Sequence, residues 1–429
     1  MKSSFYNYIF YRNNYSYWFN GITKSYFRLT HDLGKKIEML LVTPDVLLEQ
    51  TNIANKLINN GFLIPKIRDE LNIIRKKNKE SINASNYFLI VLPTLNCNFS
   101  CWYCIQDHIK SVMSPNTINK IKAHIDKIIF EDKISALHLE WFGGEPFMNF
   151  EEVIVPISLY AIKKCKEANI SFLNAATTNG YYLTSKIQKE IEVLKFEKFH
   201  ITLDGPRSFH NKVKNQRGLN SAFDHVLMNI NEILTKNKSV KLNLRINYTQ
   251  DNLDESIVPE INEHICSNNR ERVLIIPRKV WQESNVGLSD KLIDVIQKFR
   301  ESKYVVQELN IIHDYVPCYA NRKNYAAINY NGSVVKCTAN DDLYSKNPPG
   351  QLNDDGSIIW KEGFLECFNK KRFENSKCLK CKYLPICMGV CSRDYDIESG
   401  DEVLYYCKME SQTLRIEDMI INFINTCYE

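Results

Sequence analysis

The stretch that decides the reading is Tyr87-Phe88-Leu89-Ile90-Val91-Leu92-Pro93, followed after three residues by Cys97-Asn98-Phe99-Ser100-Cys101-Trp102-Tyr103-Cys104. An apolar run closed by proline reads as a buried strand. The loop behind it carries three cysteines at C-x3-C-x2-C spacing. Structural zinc sites and four-cysteine clusters fill every position with protein ligands. Three thiolates on one short loop would instead hold three corners of an iron–sulfur cubane, leaving the fourth iron open. Chance spacing or a partial zinc site is the alternative.

Working outward, the pattern from Tyr87 to about residue 300 alternates strand and helix. The strand candidates are Tyr87–Pro93, Leu137–Phe142, Ile170–Thr177, Phe199–Leu203, Val240–Tyr248 and Val273–Pro277. Ser114-Pro115 starts a helix with Ile118, Ile121, Ile125, Ile128 and Ile129 on one face. Six βα units predict a parallel sheet rolled into a partial (βα)6 TIM-like barrel, with ligands at the C-terminal strand ends.

Residues 1–80 read as a small N-terminal module. The strand-like runs are Phe5–Tyr11, Tyr15–Phe19 and Ser25–Leu29, and Asn60-Gly61 is a helix stop. Arg75 to Lys79 reads as a charged linker. The barrel is assigned to 81–305. In 306–429 periodicity weakens, and Ala326–Tyr330, Asn331-Gly332 and Ser333–Cys337 form a predicted hairpin.

The chain of 429 residues holds 14 cysteines, 44% hydrophobic and 24% charged residues, and a net charge of +5. It can bury a large core. The charge is too diffuse to argue for nucleic acid, no apolar run is long enough to span a membrane, and a cytoplasmic location is the default. Cysteines clustered in a reducing compartment read as metal ligands. Cys165 and Cys266 stand apart and are expected to be buried small hydrophobes.

The three-cysteine loop, with Tyr103 before its last cysteine, resembles the signature of the radical S-adenosylmethionine superfamily. Gly143-Gly144-Glu145-Pro146 after the second strand resembles that family's GGEP segment. Thr178-Asn179-Gly180 resembles its TNG segment, and Thr202-Leu203-Asp204-Gly205-Pro206 its SLDGP segment, with Thr for Ser. The resemblance implies that Cys97, Cys101 and Cys104 hold a [4Fe–4S] cluster whose open iron chelates S-adenosylmethionine. Reductive cleavage then yields a 5′-deoxyadenosyl radical that abstracts a substrate hydrogen. GGEP would contact the methionine amino group and the TNG segment would lie near the ribose. Arg245 would pair with the methionine carboxylate, or be a solvated strand residue.

The C-terminal cysteines resemble a SPASM domain, which carries up to two auxiliary [4Fe–4S] clusters, three clusters in all. By position, Cys378, Cys381, Cys387 and Cys407 resemble one ligand set, and Cys318, Cys337 and Cys391 the other. The second set is one ligand short, with Cys367 and Cys427 as candidates. Zinc at Cys378, Cys381, Cys387 and Cys391 is the alternative.

This architecture is similar to that of ribosomal-peptide maturases. It implies a precursor peptide as substrate, a leader gripped by a winged-helix-like N-terminal module, a thioether or carbon–carbon crosslink as product, and flavodoxin or ferredoxin as electron donor. Anaerobic sulfatase maturases compete, but they carry an acidic residue where this chain has Thr338. Peptide epimerisation and a non-catalytic peptide-binding scaffold are further alternatives. Asp204, Glu140 and His138 lie near strand ends, with ordinary structural roles expected for each.

Overall fold

The computed structural model describes residues 1–48, 51–214, 220–283, 288–307, 318–369, 373–389, 391 and 413–428. Contacts divide the chain into two compact units, neither continuous in sequence. One comprises Met1–Asn83, Glu308–Cys318 and Lys370–Glu429; the other comprises Ala84–Gln307 and Tyr319–Asn369.

In the first unit, β1 (Lys2–Ser3) pairs with β5 (Leu63–Ile64), while β2 (Asn7–Arg12), β3 (Tyr15–Asn20) and β4 (Tyr26–Thr30) form an antiparallel sheet. Trp18 of β3 packs on Ile37, Leu41, Ala54, Leu57, Phe62 and Leu63. The stretch expected to be a linker is instead part of a helix, Glu70–Ile82, capped by Asp69. That helix buries Ile74. Arg75 makes a bidentate pair with Glu374 at 2.7 and 2.8 Å, geometry that favours a fixed contact.

The same unit carries the short helices Ser376–Leu379 and Leu384–Cys387. Tyr6, Ile74, Phe373, Leu384 and Met388 share one core. Tyr8 stacks on Tyr383, with ring centroids 5.5 Å apart and planes within 5°. Its hydroxyl donates to the Lys382 carbonyl. The C-terminal helix Ile416–Thr426 lies against β3 and β4, and Arg12 reaches Asp418 at 2.5 Å.

The second unit is built on an eleven-stranded sheet. Its parallel strands are β6 (Tyr87–Val91), β7 (Ala136–Trp141), β8 (Ser171–Thr178), β9 (Phe196–Leu203), β10 (Lys241–Tyr248) and β11 (Val273–Lys279), all six expected from the sequence, with a short β12 (Val305–Val306) beyond. The expected hairpin forms as β13 (Tyr325–Ile328) and β14 (Ser333–Val335), with Gly332 at φ +83° in the turn. β13 then adds to β6 in parallel, and β15 (Gly350–Leu352) and β16 (Ile358–Trp360) extend the edge.

Alternation gives the sheet two chemically different faces. Leu89, Val91, Leu139, Trp141, Ile201, Leu203, Leu242 and Leu244 are buried on one, where helices such as Val155–Glu167 pack. The opposite face carries Glu140, Lys198, His200, Thr202, Arg245 and Asn247. Pro115–Asp126 begins as expected, Ser114 Oγ accepting the Thr117 N–H at 3.1 Å. Cys165 is buried, but Cys266 is exposed, contrary to expectation, because it precedes a surface turn, Ser267–Arg272. No described helix is long and apolar enough to cross a membrane.

Candidate active site

A cavity of about 410 Å³ opens in the second unit at the C-terminal ends of the parallel strands. Cys97, Cys101, Tyr103 and Cys104 line it, together with Gly143 and Gly144 after β7, Thr178 and Asn179 from β8, Thr202 from β9 and Arg245 from β10. Segments nearly 150 residues apart in sequence thus share one wall because the sheet presents all its C-terminal loops at one end.

The three thiols are partly shielded from water. Burial pushes Cys97 up to about 12 and raises Cys101 and Cys104. Coordination to a metal deprotonates such thiols outright. The Asn179 side-chain amide reaches Cys97 Sγ at 3.8 Å, and His108 Nε2 lies 3.5 Å from Cys104 Sγ. Among the described residues, no three His, Cys, Asp or Glu side chains converge tightly enough for a single ion. The three thiols lining one cavity wall are the donor type that an iron–sulfur cluster takes.

Within the GGEP segment the roles divide. Gly143 and Gly144 face the cavity; Glu145 is wholly buried and Pro146 is buried beside it. Glu145 accepts the Thr178 hydroxyl at 2.7 Å, the Phe147 N–H at 3.0 Å and the Asn179 N–H at 2.8 Å. Burial outweighs these donors and pushes its carboxyl up to about 7. Gly144 has φ +40°, and a Cβ there would stand 2.1 Å from the Asn96 carbonyl oxygen. Only glycine lets the loop approach so closely.

Asp204 is 1% exposed and does not line the cavity. One carboxylate oxygen accepts the Tyr103 hydroxyl and the Asn247 amide, the latter at 3.3 Å. The other faces Lys214 Nζ at 3.2 Å as an ion pair. Lys214 also donates to the Thr202 carbonyl at 2.5 Å and lines the cavity. His210, held neutral near 3 by burial and by Lys214, accepts the Asp204 N–H at 3.1 Å.

Lys214, Asn247 and Gln106 are among the cavity residues that the motifs did not reveal. Gln106 accepts the Gly144 N–H at 2.8 Å. Asn247 sits two residues beyond Arg245 in the alternating strand and was legible as its neighbour. Lys214 carried no local signal, since its placement depends on the helix Arg207–Val213 returning it to Thr202.

Glu140 accepts the Thr177 hydroxyl at 2.9 Å, and His138 packs on Phe88 at 4.7 Å; neither lines the cavity. Thr338 does, and its hydroxyl is 2.9 Å from that of Tyr319. Cys378, Cys381, Cys387 and Cys391 belong to the first unit with Cys318, while Cys337 belongs to the second. Cys407 lies outside the described residues, as does the side chain of Cys367.

Comparison with known proteins agrees with this geometry. Residues 91–253 match the Radical SAM superfamily. The cyclopropyl synthase TigE of Paramaledivibacter caminithermalis is 23% identical over 377 residues, 80% of this chain and 76% of TigE. Among solved structures, anSMEcpe with bound AdoMet and Cp18Cys peptide aligns with TM-score 0.59 and 18% identity, covering 80% of this chain and 99% of that one. Streptococcus suis SuiB bound to S-adenosylmethionine aligns with TM-score 0.52 and 15% identity, covering 96% and 99%. SuiB bound to precursor peptide SuiA aligns with TM-score 0.50 and 16% identity, covering 91% and 95%.

Residues 91–253 are a Radical SAM domain, and the chain is similar to radical S-adenosylmethionine enzymes in its mixed α/β fold. Within the class it resembles the maturases of ribosomal peptides. The family implies a [4Fe–4S] cluster and S-adenosylmethionine as its cofactors.

Proposed function

We propose that this enzyme matures a ribosomally made precursor peptide, joining two of its atoms through a thioether or a carbon–carbon bond. The observation that carries the reading is a single cavity holding Cys97, Cys101, Cys104, Gly143, Gly144 and Thr338. Threonine stands where the sulfatase branch places an acidic residue, so that branch lacks its base here. The peptide-bound structures of anSMEcpe and SuiB support a peptide substrate, and TigE, a cyclopropyl synthase, supports the carbon–carbon arm. The fold likeness to anSMEcpe favours formylglycine formation as the second reading.

In this reading Cys97, Cys101 and Cys104 hold the cluster, and Gly143, Gly144, Thr178, Asn179, Thr202 and Arg245 surround the cosubstrate. The bound cluster and S-adenosylmethionine supply reductive generation of a deoxyadenosyl radical and hydrogen abstraction. The chain does the rest. Gly144 allows close backbone approach, Glu145 fixes the loop bearing Thr178 and Asn179, and Asp204 with Lys214 locks Tyr103 beside the thiols. Arg245 offers a charged donor to a carboxylate.

The parallel strands form the wall of a partial barrel in this proposal. The β2–β3–β4 sheet and its helices serve as the winged-helix-like leader grip. Cys378, Cys381, Cys387 and Cys407, and Cys318, Cys337 and Cys391, hold two auxiliary clusters of a SPASM domain. A flavodoxin or ferredoxin donates the electron in the cytoplasm.

The test is iron and sulfide content after anaerobic reconstitution, with 5′-deoxyadenosine formation measured in parallel. Replacing Cys97, Cys101 and Cys104 together by Ala is expected to lower iron from about twelve to about eight per chain and abolish deoxyadenosine. Iron unchanged by the triple substitution would sink the assignment of these ligands.

A further inference from the structure

The polar face of the parallel sheet carries more positive than negative charge, and its two arginines meet no carboxylate among the described residues. Arg245 on β10 donates through Nε to Asn247 Oδ1 at 2.7 Å. Arg278 on β11 donates to Gln307 Oε1 at 3.1 Å and the Pro277 carbonyl at 3.4 Å. Asn247 and Arg278 are direct partners in the β10–β11 register, which makes Arg245 and Arg278 diagonal neighbours on one face. Val280, the next residue on that side of the chain, lines the cavity with Arg245 and Asn247.

The rest of the face adds to the imbalance. Lys198 stands two residues before His200 on β9, and Thr202, two beyond, pairs with Arg245. His200 is held down near 4 by burial and by Arg245, Lys198 and Arg278 in turn, so it is neutral at neutral pH and the positive charge of the face comes from the arginines and Lys198. Glu140 is the acidic side chain on this face, and it is engaged by the Thr177 hydroxyl. Burial disfavours the charge of both arginines, and Arg278 adds to this at Arg245. Arg245 is half-buried, where a charge without a counter-ion is costly, while Arg278 is exposed to water and open to a ligand. Among the described residues, no carboxylate pairs with either guanidinium.

We propose that Arg278, beside Arg245 and Asn247, is an anion subsite that binds a carboxylate of the peptide substrate and so fixes it at the β10–β11 side of the cavity. This rests on the peptide-maturase reading and narrows it to substrates with an acidic group near the modified position. Arg245 serves the cosubstrate carboxylate; Arg278 serves the peptide's.

The test uses the full reconstituted chain and fluorescein-labelled hexapeptides, with binding followed by polarisation. One peptide is C-terminally amidated and contains a single Asp, the second is its Asn twin, and the third is the Asn twin with a free C-terminus. The Asp peptide is expected to bind about tenfold tighter than the Asn amide, as a charge-assisted pair allows. Arg278→Gln should erase that ratio, and Arg278→Lys should keep part of it. An equal gain from the free C-terminus, lost in Arg278→Gln, assigns the terminal carboxylate as the source and upholds the anion subsite. Equal binding of all three peptides overturns the proposal, and so does an Asp preference that survives Arg278→Gln while S-adenosylmethionine affinity falls. Deoxyadenosine formation by the wild type tests the radical reading separately, and its loss would not alter the peptide ratios.

Discussion

The buried carboxylate of Glu145 accepts the backbone N–H of Asn179 at 2.8 Å, so the loop after β7 and the loop after β8 are fixed to each other by one side chain. Two segments that read as separate cosubstrate motifs are one mechanical unit. Their cavity-facing residues, Gly143, Gly144 and Asn179, are joined through this carboxylate.

Glu145→Gln keeps one acceptor oxygen but turns an amide N–H₂ toward a backbone donor. The buried mismatch should cost about 1–3 kcal/mol and weaken S-adenosylmethionine binding by about tenfold, read by calorimetry on the reconstituted enzyme. Unchanged affinity would mean that the loops hold their places without this link.

Glu145 also predicts a pH dependence of the cluster-free chain. Its folded carboxyl lies near 7, above the ordinary value of about 4.3, so the folded chain binds the proton more tightly. This group's stabilising contribution is therefore full below about pH 4.3, and it is lost as pH rises to about 7. Urea midpoints at a series of pH values should fall through that window in wild type. Glu145→Gln should flatten the fall, and an identical slope in both proteins would refute the assignment.

Gly144→Ala places a methyl 2.1 Å from the Asn96 carbonyl oxygen at a positive φ. The loop must shift by the better part of an ångström. A displacement on that scale is expected to cost about 100-fold in deoxyadenosine formation, while the melting temperature confirms that the sheet persists.

Lys214→Met strands the Asp204 carboxylate in the interior. Removing one partner of a buried pair costs about 3–5 kcal/mol, measured by urea denaturation, and Lys214→Arg should recover most of it. A loss below about 1 kcal/mol would show the pair to be dispensable.

In the first unit, Tyr8→Phe leaves the Lys382 carbonyl without its donor and should cost about 1 kcal/mol. Tyr8→Ala also removes the stack on Tyr383 and should cost about 3–5 kcal/mol. Faster alkylation of Cys381 and Cys387 in the unreconstituted Ala variant would confirm that this ring packs against the cysteine segment.

The sequence by itself determined the six parallel strands, the hairpin at Asn331-Gly332 and the cysteine, GGEP and TNG positions that meet at one sheet end. Period-two alternation and short-range spacing are local properties, so strands and single-loop ligand sets are written in neighbouring residues. Tertiary structure alone decided that β13 joins β6, that Arg75–Lys79 is helix rather than linker, and that the N-terminal strands and the Glu70–Ile82 helix pack with 373–389 and 413–428. It also decided that Glu145 faces inward and that Lys214 reaches Thr202 and Asp204. Each of these depends on which distant surface is available to bury a side chain or satisfy a charge, and that surface exists only once the chain has folded.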